Sequence, residues 1–514
     1  MVPCADQTGP GGVNAITAQL RSEQETRGRA TGSEAEATTA QLGAIYLALS
    51  RLRPRQAAST PAVVLAGARV AAWLPERLHS FGVDLHSVED PQLVAAVGRG
   101  AFLLGGTAHG TWIPATPDGE LDGAQVASVV ERARLREWAA AAGAEPTVTT
   151  LHTPGSDSRG VVQFRRDGTE LVAKIGAADA IAAEARFATE VNALLAENDQ
   201  GRLFPRVHGV RREGDQAVSV MDAGESLALG PLFTDPGRTR LAAGAADRLQ
   251  PHLDRLATWY ALTLRRRRPT VADYLYRARY RALRAHPAFG ATFRSLFGDL
   301  PPERLLDVPV RLPGGTVPGY GEAAAWLDEV APALLPDWGC GVHGDIYAAN
   351  MLVLRDGSPV FIDPRLVWEG RDRPDVGFGD PVFDLATLLH GVLPMAAILR
   401  AVETGMTAGL FAGRPGPRDG QLDLSSLRLP TAFGPEVAAL EARMLRALPP
   451  TGEPLRLTRT RLYVGAATSL AGWLKYARSL PTKSAWLATL GSVSWYLAEA
   501  RACWERGEPK GERA

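Results

Sequence analysis

Apolar and polar residues repeat with different periods along the chain, and the change of period divides it into regions. The segment "PAVVLAGARVAAWLPERLHSFGVDLHSV", residues 61–88, has the pattern of a strand, a turn, a helix and a second strand. Further on, "GAQVASVVERARLREWAAAAGA" spaces its apolar residues as a helix does. We therefore predict an α/β domain at residues 41–146. Residues 1–40 are poor in large apolar groups, and we predict a disordered lead-in there.

Short alternating strands separated by tight turns predict a different region at residues 147–222. Asp-Gly pairs lie between the apolar runs, and one helix pattern, "DAIAAEARFATEVNALLAEN", interrupts them. Residues 223–505 then read mostly as helix, and 506–514 as a polar tail. The predicted fold class is α+β, with a small β-rich lobe, a large helical lobe and an additional N-terminal α/β domain.

Composition and charge narrow the classes of protein to which the chain can belong. Apolar residues make up 46% and charged residues 22%, and 56 basic residues balance 56 acidic ones. Such a balance gives no overall field that draws a protein to nucleic acid or to an anionic membrane. The three cysteines are far apart, which argues against a disulfide framework and a zinc site. With no secretory or membrane-spanning pattern, we expect a cytoplasmic protein.

The segment "GVHGDIYAANMLVLRDGSPVFIDP", residues 341–364, gathers polar side chains around an apolar hairpin. If Asp356 and Gly357 are the two loop residues of a type I′ turn, Asn350 lies directly opposite Asp363. An amide oxygen and a carboxylate at that spacing predict a site for a hard cation such as Mg²⁺. Asp345, in the preceding loop, is placed to act as a base toward whatever the metal holds.

The alternative interpretation is that HGD and IDP are ordinary turns, in which Gly and Asp serve backbone geometry. Taken singly, each motif is more typical of a turn than of a site. The joint spacing of the motifs, and the later segment "GDPVFDLATLLH", residues 379–390, favour the functional interpretation.

"HGDIYAAN" followed by "FIDP" resembles the motifs of the aminoglycoside phosphotransferase and choline kinase-like superfamily, which has a protein kinase-like fold. The resemblance implies that Asp345 is the catalytic base, that Asn350 and Asp363 bind the metal, and that Asp384 supports the catalytic loop. It implies transfer of the γ-phosphoryl group of ATP, with Mg²⁺, to a hydroxyl of a small molecule such as a sugar, an aminoglycoside or an amino alcohol. The chain departs from relatives at residues 346–348, which leaves the acceptor class open.

The β-rich lobe offers a candidate nucleotide site. If Asp167 and Gly168 form a two-residue turn, Lys174 pairs with Val161, beside the Gly-rich segment "PGSDSRG". "LVAKI" resembles the strand of protein kinases whose lysine holds the nucleotide phosphates and is oriented by a glutamate of the next helix. Two glutamates compete for that role; we favour Glu190, with Glu184 as the alternative.

Four further positions complete the predicted nucleotide site. The turn that begins at Gly155 and ends at Gly160 can bring backbone amides close to a phosphate, although such a cluster is usually only a turn. By resemblance, the segment "VSVMDAG" is the hinge between lobes, where backbone groups of Met221 and Ala223 meet the adenine edge.

The N-terminal segments "PAVVLAGARVAAWLPERL" and "VGRGAFLLGG" show a weak similarity to the C-terminal part of actin- and hexokinase-type sugar kinases. That similarity implies a helix at the second segment. For the domain itself we favour a docking or regulatory role, or a relict, over a second active site. A non-catalytic nucleotide-binding scaffold that recruits a partner through this domain is the rival function. Protein phosphorylation is a third possibility, although no activation-loop pattern follows Asp363.

Overall fold

The computed structural model describes residues 61–71, 74–79, 81, 83–89, 91, 94, 98–104, 111–141, 148–152, 160–226, 245–366, 377–477 and 479–506. They fall into two compact units. Unit 1 lies within Met1–Ala182 and His208–Met221, and unit 2 lies within Ala183–Val207 and Asp222–Ala514.

Unit 1 begins with a four-stranded sheet in the order β2-β1-β3-β4, in which only β1 and β2 are parallel. Its elements are β1 (Ala62–Ala66), α1 (Leu74–His79), β2 (Asp84–Val88), β3 (Gly100–Leu104), β4 (Trp112–Pro114) and α2 (Gly123–Ala141). Asp122 starts α2, because its carboxylate accepts from the backbone N–H groups of Ala124 at 2.9 Å and Gln125 at 3.2 Å. The predicted strand, helix, strand and long helix are thus confirmed.

The segment "RGAFLL" is a strand rather than the helix that the similarity to sugar kinases implied. Strand β3 runs antiparallel to β1, with Leu65 opposite Ala101 and Val64 opposite Phe102. Pairing with a distant strand buries Phe102 completely, which a local helix pattern does not reveal. The similarity to actin- and hexokinase-type sugar kinases is therefore not supported.

The predicted β-rich lobe is a five-stranded sheet in the order β5-β6-β7-β9-β8. Its elements are β5 (Val148–His152), β6 (Gly160–Arg166), β7 (Thr169–Ala177), α3 (Ala178–Glu197), β8 (Val207–Glu213) and β9 (Gln216–Asp222). The hairpin between β6 and β7 has the predicted register, with Lys174 opposite Val161. Asp167 at φ 51° and Gly168 at φ 76° both adopt the left-handed backbone that a type I′ turn requires.

The two halves of unit 1 share one hydrophobic core. Val162, Phe164 and Ile175 of the five-stranded sheet belong to the same cluster of buried side chains as Leu65 and Val126 of the N-terminal segment. Helix α2 packs directly against β6 and β7. The boundary predicted near residue 146 therefore falls inside a compact unit, and one face of the sheet depends on the N-terminal segment for its cover.

Unit 2 is mostly helical, as predicted. Its elements are β10 (Gly224–Ser226), α4 (Ala245–Thr263), α5 (Arg279–Ala282), α6 (Pro287–Phe297), α7 (Glu303–Leu306), β11 (Val310–Leu312), β12 (Gly315–Val317), α8 (Tyr320–Leu334), β13 (Cys340–Gly341), β14 (Met351–Leu354), β15 (Pro359–Phe361), β16 (Phe378–Gly379), α9 (Pro381–His390), α10 (Ala396–Glu403), β17 (Gly416–Arg418), β18 (Gln421–Asp423), α11 (Leu429–Arg446), α12 (Leu455–Ala471) and α13 (Lys483–Glu505).

Helix α9 is the buried axis of unit 2. All its residues are buried, and it packs against α12, which in turn packs against α13. Gly465 of α12 permits the close approach, since a Cβ there would lie 2.8 Å from the Cβ of Ala386. The stretch Pro381–Glu403 is long and apolar enough to cross a membrane by length and composition alone, yet 89% of its most apolar window is buried within the structure.

Candidate active site

The loop between β13 and β14 is held by one buried carboxylate. Asp384 of α9 is fully buried and accepts two backbone hydrogen bonds, from His343 N at 2.7 Å and from Gly344 N at 2.6 Å. Gly344 has φ +84°, a conformation that favours glycine, and it turns the chain so that both N–H groups face Asp384. The supporting role expected for Asp384 is confirmed.

Two hydroxyl groups complete this support. The hydroxyl of Tyr260 donates a hydrogen bond to Asp384 Oδ2 at 3.2 Å. The hydroxyl oxygen of Thr387 accepts a hydrogen bond from Ile346 N at 3.1 Å. Both hydroxyls are buried, where hydrogen bonds are poorly screened by water. The backbone on both sides of Asp345 is thereby tied to α9 by residues one helical turn apart.

His343 links the loop to the segment that carries Asp363. One ring nitrogen, Nε2, lies 2.8 Å from the carbonyl of Ile362, and the other, Nδ1, accepts from Asp345 N at 3.3 Å. A neutral ring with its proton on Nε2 satisfies both contacts at once. Arg365 N also donates to the carbonyl of His343 at 2.8 Å. These bonds hold Asp345 and Asp363 in one piece of structure.

Asn350 joins the same group. It is 4% exposed, and its side-chain nitrogen donates to the backbone carbonyl of Asp345 at 3.0 Å. Its own backbone carbonyl accepts from Ile362 N at 3.0 Å. Since the amide nitrogen is engaged, the amide oxygen is the atom of Asn350 left for a ligand.

The register of the second hairpin differs by one residue from the prediction. Met351 pairs with Phe361 and Leu352 pairs with Val360, so Asn350 lies opposite Ile362 and not opposite Asp363. Asp363 follows the strand with φ +59°, an uncommon backbone conformation for a residue other than glycine. The predicted direct cross-strand pair is therefore wrong, and the hydrogen bonds that His343 and Asn350 make bring the residues together instead.

The turn chemistry explains the shift. The backbone carbonyl of Ser358 accepts a hydrogen bond from Leu354 N at 2.9 Å, so residues 355–357 form a three-residue loop. Asp356 accepts from Ser358 N at 2.9 Å and pairs with Arg202 at 3.0 Å, while only Gly357 has a positive φ, +81°. A type I turn followed by a left-handed glycine replaces the predicted type I′ turn.

The negative charges of two candidate carboxylates act on the hydroxyl group of Tyr347. Burial raises the pKa of Tyr347, and the negative charges of Asp345 and Asp363 raise this pKa further. The phenol therefore stays protonated at neutral pH and can donate a hydrogen bond. The sequence drew attention to Tyr347 only as a departure from relatives; the influence of two functional candidates on its hydroxyl group was not predictable from that.

The predicted nucleotide-site residues are distributed over both units. Lys174 lies on β7 with a 4% exposed side chain, and Gly160 starts β6 opposite Ile175. Met221 belongs to β9, whereas Ala223 lies between β9 and β10 in unit 2. Gly155 lies outside the described residues.

Helix α3 separates the two candidate partners of Lys174 by exposure. Glu190 is exposed, whereas Glu184 is half-buried. A helix rotates by roughly 240° over six residues, so the two side chains point in different directions. Because Glu190 is exposed, water would weaken an ion pair between its carboxylate and a lysine, so its position does not favour it for the orienting role.

A second buried charge network anchors the start of α9. Asp380 caps the helix by accepting from Val382 N at 3.0 Å, and it also accepts from the Tyr276 hydroxyl at 2.6 Å. Arg461 of α12 pairs with Asp380 at 3.2 Å and with Glu453 at a shorter distance, and its side chain is 1% exposed. This partner was not predictable from local sequence patterns, because Arg461 lies far along the chain from Asp380.

His390, at the end of α9, gives a testable pH dependence. It is buried beside Ser469 at 2.9 Å, and burial, with a smaller contribution from Arg279, lowers its pKa to about 3. An unfolded histidine has a pKa of about 6.5, so the folded state loses stability as the pH falls from 6.5 toward 3. Between pH 7.5 and 5.5 we expect wild type to lose about 1.4 kcal/mol relative to His390→Gln. Urea unfolding of both proteins at the two pH values measures this, and parallel profiles would contradict it.

Comparisons with known proteins identify the segment that carries this site. The model of the phosphotransferase enzyme family, APH, matches residues 148–419, slightly more than half of the chain. No curated protein matches the chain.

Among solved structures, the microcompartment-associated aminopropanol kinase is 12% identical, covers 74% of this chain and 99% of its own, and has a TM-score of 0.39. Choline kinase LicA from Streptococcus pneumoniae is 9% identical, with 71% and 97% covered and a TM-score of 0.33. Aminoglycoside phosphotransferase APH(4)-Ia is 12% identical, with 71% and 95% covered and a TM-score of 0.34. Likenesses with such low scores carry no argument about the function of this chain.

Proposed function

The chain belongs to the phosphotransferase enzyme family, and from this membership we propose that it transfers the γ-phosphoryl group of ATP, with Mg²⁺, to a hydroxyl of a sugar, an aminoglycoside-like molecule or an amino alcohol. The observation that carries the proposal is the hydrogen-bonded grouping of Asp345, Asn350 and Asp363 on a loop held by Asp384. Phosphoryl transfer needs positioned oxygens and a proton acceptor more than covalent chemistry from the protein.

Asp345 would orient the acceptor hydroxyl and take its proton as the phosphoryl group transfers. Its backbone N–H donates a hydrogen bond to His343 and its backbone carbonyl accepts one from Asn350, so the backbone of the residue is fixed on both sides. Tyr347, which stays protonated, can donate to a carboxylate or to the acceptor. A general base held in this way typically contributes about 10²–10⁴-fold to the rate.

The donor set fits Mg²⁺. Asn350 presents its amide oxygen and Asp363 its carboxylate, and hard oxygen ligands are those that Mg²⁺ prefers. Among the residues that the structure describes, no group of three His, Cys, Asp or Glu side chains could hold a metal, so phosphate oxygens and water would complete the coordination. When bound, Mg²⁺ would neutralise negative charge on the nucleotide phosphates.

Lys174 would hold those phosphates, and of the two candidate glutamates of α3 the half-buried Glu184, rather than the exposed Glu190, would support the nucleotide site. We expect Glu184→Gln to raise the KM for ATP about tenfold or more, because the variant would lose a charge-assisted hydrogen bond at a position that is partly shielded from water. Glu190→Gln, on the exposed side of the same helix, is the matched control and should change this KM by less than about twofold. Steady-state kinetics with ATP varied at a saturating acceptor concentration measures both, and a larger effect at Glu190 would assign the role to Glu190 instead.

The experiment that tests the function follows ATP consumption by the purified protein with Mg²⁺ over a panel of sugars, aminoglycosides and amino alcohols. The expected result is turnover that depends on one acceptor class, with the phosphorylated acceptor identified by mass spectrometry and turnover lost in Asp345→Asn. Binding of ATP without turnover on any acceptor would contradict the catalytic proposal and favour the nucleotide-binding scaffold.

A further inference from the structure

A cavity of about 500 Å³ opens in the N-terminal part of unit 1, outside the residues that the family model matches. It lies at the carboxyl ends of the parallel strands β1 and β2, which is where open parallel sheets leave a crevice for ligands. Its lining includes Leu65, Gly67, Arg69, Ser87, Val94 and Arg99. None of these lining residues belongs to the candidate active site.

The turn after β1 shapes the floor of this cavity. Gly67 has φ +55°, and a Cβ at this position would lie 2.8 Å from Val94 Cγ2. The absence of a side chain lets the backbone turn away from the strand end beside Val94. Leu65, which is 2% exposed, and Val94 give this part of the cavity an apolar character.

The polar groups of the cavity favour an anion. Arg69 and Arg99 are both exposed at its wall, and Ser87 adds a hydroxyl. Arg69 donates to the carbonyl of Asp118 at 3.2 Å and lies 3.8 Å from Glu120, a contact between two largely exposed groups. No residue that the structure describes pairs with the Arg99 guanidinium. Arginine forks match the oxygens of a phosphate group closely.

Glu89 indicates that the ligand carries hydroxyl groups as well as an anionic group. Glu89 also lines the cavity and is the single carboxylate among its described lining residues, so it can accept hydrogen bonds from hydroxyl groups. A ligand with a phosphate group at the arginines, hydroxyls near Glu89 and a carbon face over Leu65 and Val94 would use every part of the lining. We propose that this cavity binds a small polyol phosphate, such as a sugar phosphate.

The position of the cavity gives such a ligand a route to the nucleotide lobe. Leu65 belongs to the same buried cluster as Ala173 and Ile175, the two residues that flank Lys174 on β7. A ligand that orders the end of β1 acts on that shared core, so its binding and the binding of ATP are expected to be coupled. This coupling is a regulatory use of the domain, and the binding itself does not depend on the kinase reaction.

Isothermal titration calorimetry of the full chain with glucose 6-phosphate, inorganic phosphate and citrate tests the proposal. We expect glucose 6-phosphate to bind more tightly than inorganic phosphate, and Arg99→Gln to weaken it about tenfold or more. Arg136→Gln, which removes an exposed arginine of α2 outside the cavity, is the matched control and should bind as wild type does. Circular dichroism confirms that each variant is folded.

Three results would overturn the inference. They are the absence of glucose 6-phosphate binding, equal binding by wild type and Arg99→Gln, and tighter binding of citrate than of the sugar phosphate. Failure of the kinase assay with intact, Arg99-dependent binding would count against the proposed function alone. Loss of binding with intact kinase turnover would count against this site alone.

Discussion

Asp345→Asn is expected to lower kcat by about 10²–10⁴-fold while the protein still folds and still binds ATP. Asparagine keeps the size of the side chain but cannot accept the hydroxyl proton as a carboxylate does. The backbone bonds of residue 345, to His343 and from Asn350, do not involve the side chain and should persist in the variant. Rapid-quench or steady-state kinetics with the identified acceptor measures kcat, and equilibrium titration measures ATP affinity.

Asp356→Asn is the matched control for this variant. Asp356 lies at the exposed tip of the same hairpin, so the same chemical change there leaves the candidate base intact. We expect a change in kcat of less than about twofold for this control. A reduction as large as that of Asp345→Asn, or an Asp345 variant with normal turnover, would remove Asp345 from the role of base.

Arg461→Met is expected to lower the free energy of unfolding by about 3–5 kcal/mol. The guanidinium faces Asp380 and Glu453 in a site that excludes water, and its removal leaves two carboxylates without their cation. Asp380 also caps α9, the helix whose Asp384 holds the candidate catalytic loop. We therefore expect kcat of the folded variant to fall, because the start of α9 is less firmly fixed.

Urea unfolding measures the stability change, and two further variants sharpen the test. Arg501→Met removes an arginine that pairs at the surface with Glu505 and should cost at most about 1 kcal/mol. Adding Asp380→Asn to Arg461→Met removes one stranded carboxylate, so part of the lost stability should return. If the double variant is as unstable as the sum of the two single variants, then the pair is not coupled.

The candidate catalytic residues could be proposed from the sequence because they lie in two short segments with strong local signals. The same counting rule gave the right register at the Asp167–Gly168 turn and the wrong one at Asp356–Gly357. The difference is made by the bond from Ser358 N to Asp356 and by the distant Arg202, neither of which a two-residue motif specifies. Loop length therefore depended on contacts that only the folded chain supplies.

Other features escaped the sequence because their causes are long-range. The helix implied at "RGAFLL" is a strand because β1 lies beside it. Glu190 and Glu184 have similar local surroundings, and only the packing of α3 distinguishes their exposure. Arg461 becomes significant only where α12 meets the start of α9. The apolar patterns of strands and helices, with periods of about 2 and about 3.6 residues, contain none of this long-range information.

The shared core of unit 1 also constrains how this chain can change during evolution. Val162, Phe164 and Ile175 are covered by side chains that come from before residue 142, so deletion of the N-terminal segment would expose that face of the five-stranded sheet to water. An exposed apolar face of this kind promotes aggregation. A lineage that retains the phosphotransferase segment in this form must therefore inherit the N-terminal segment with it, or acquire polar substitutions on the sheet at the same time as the loss.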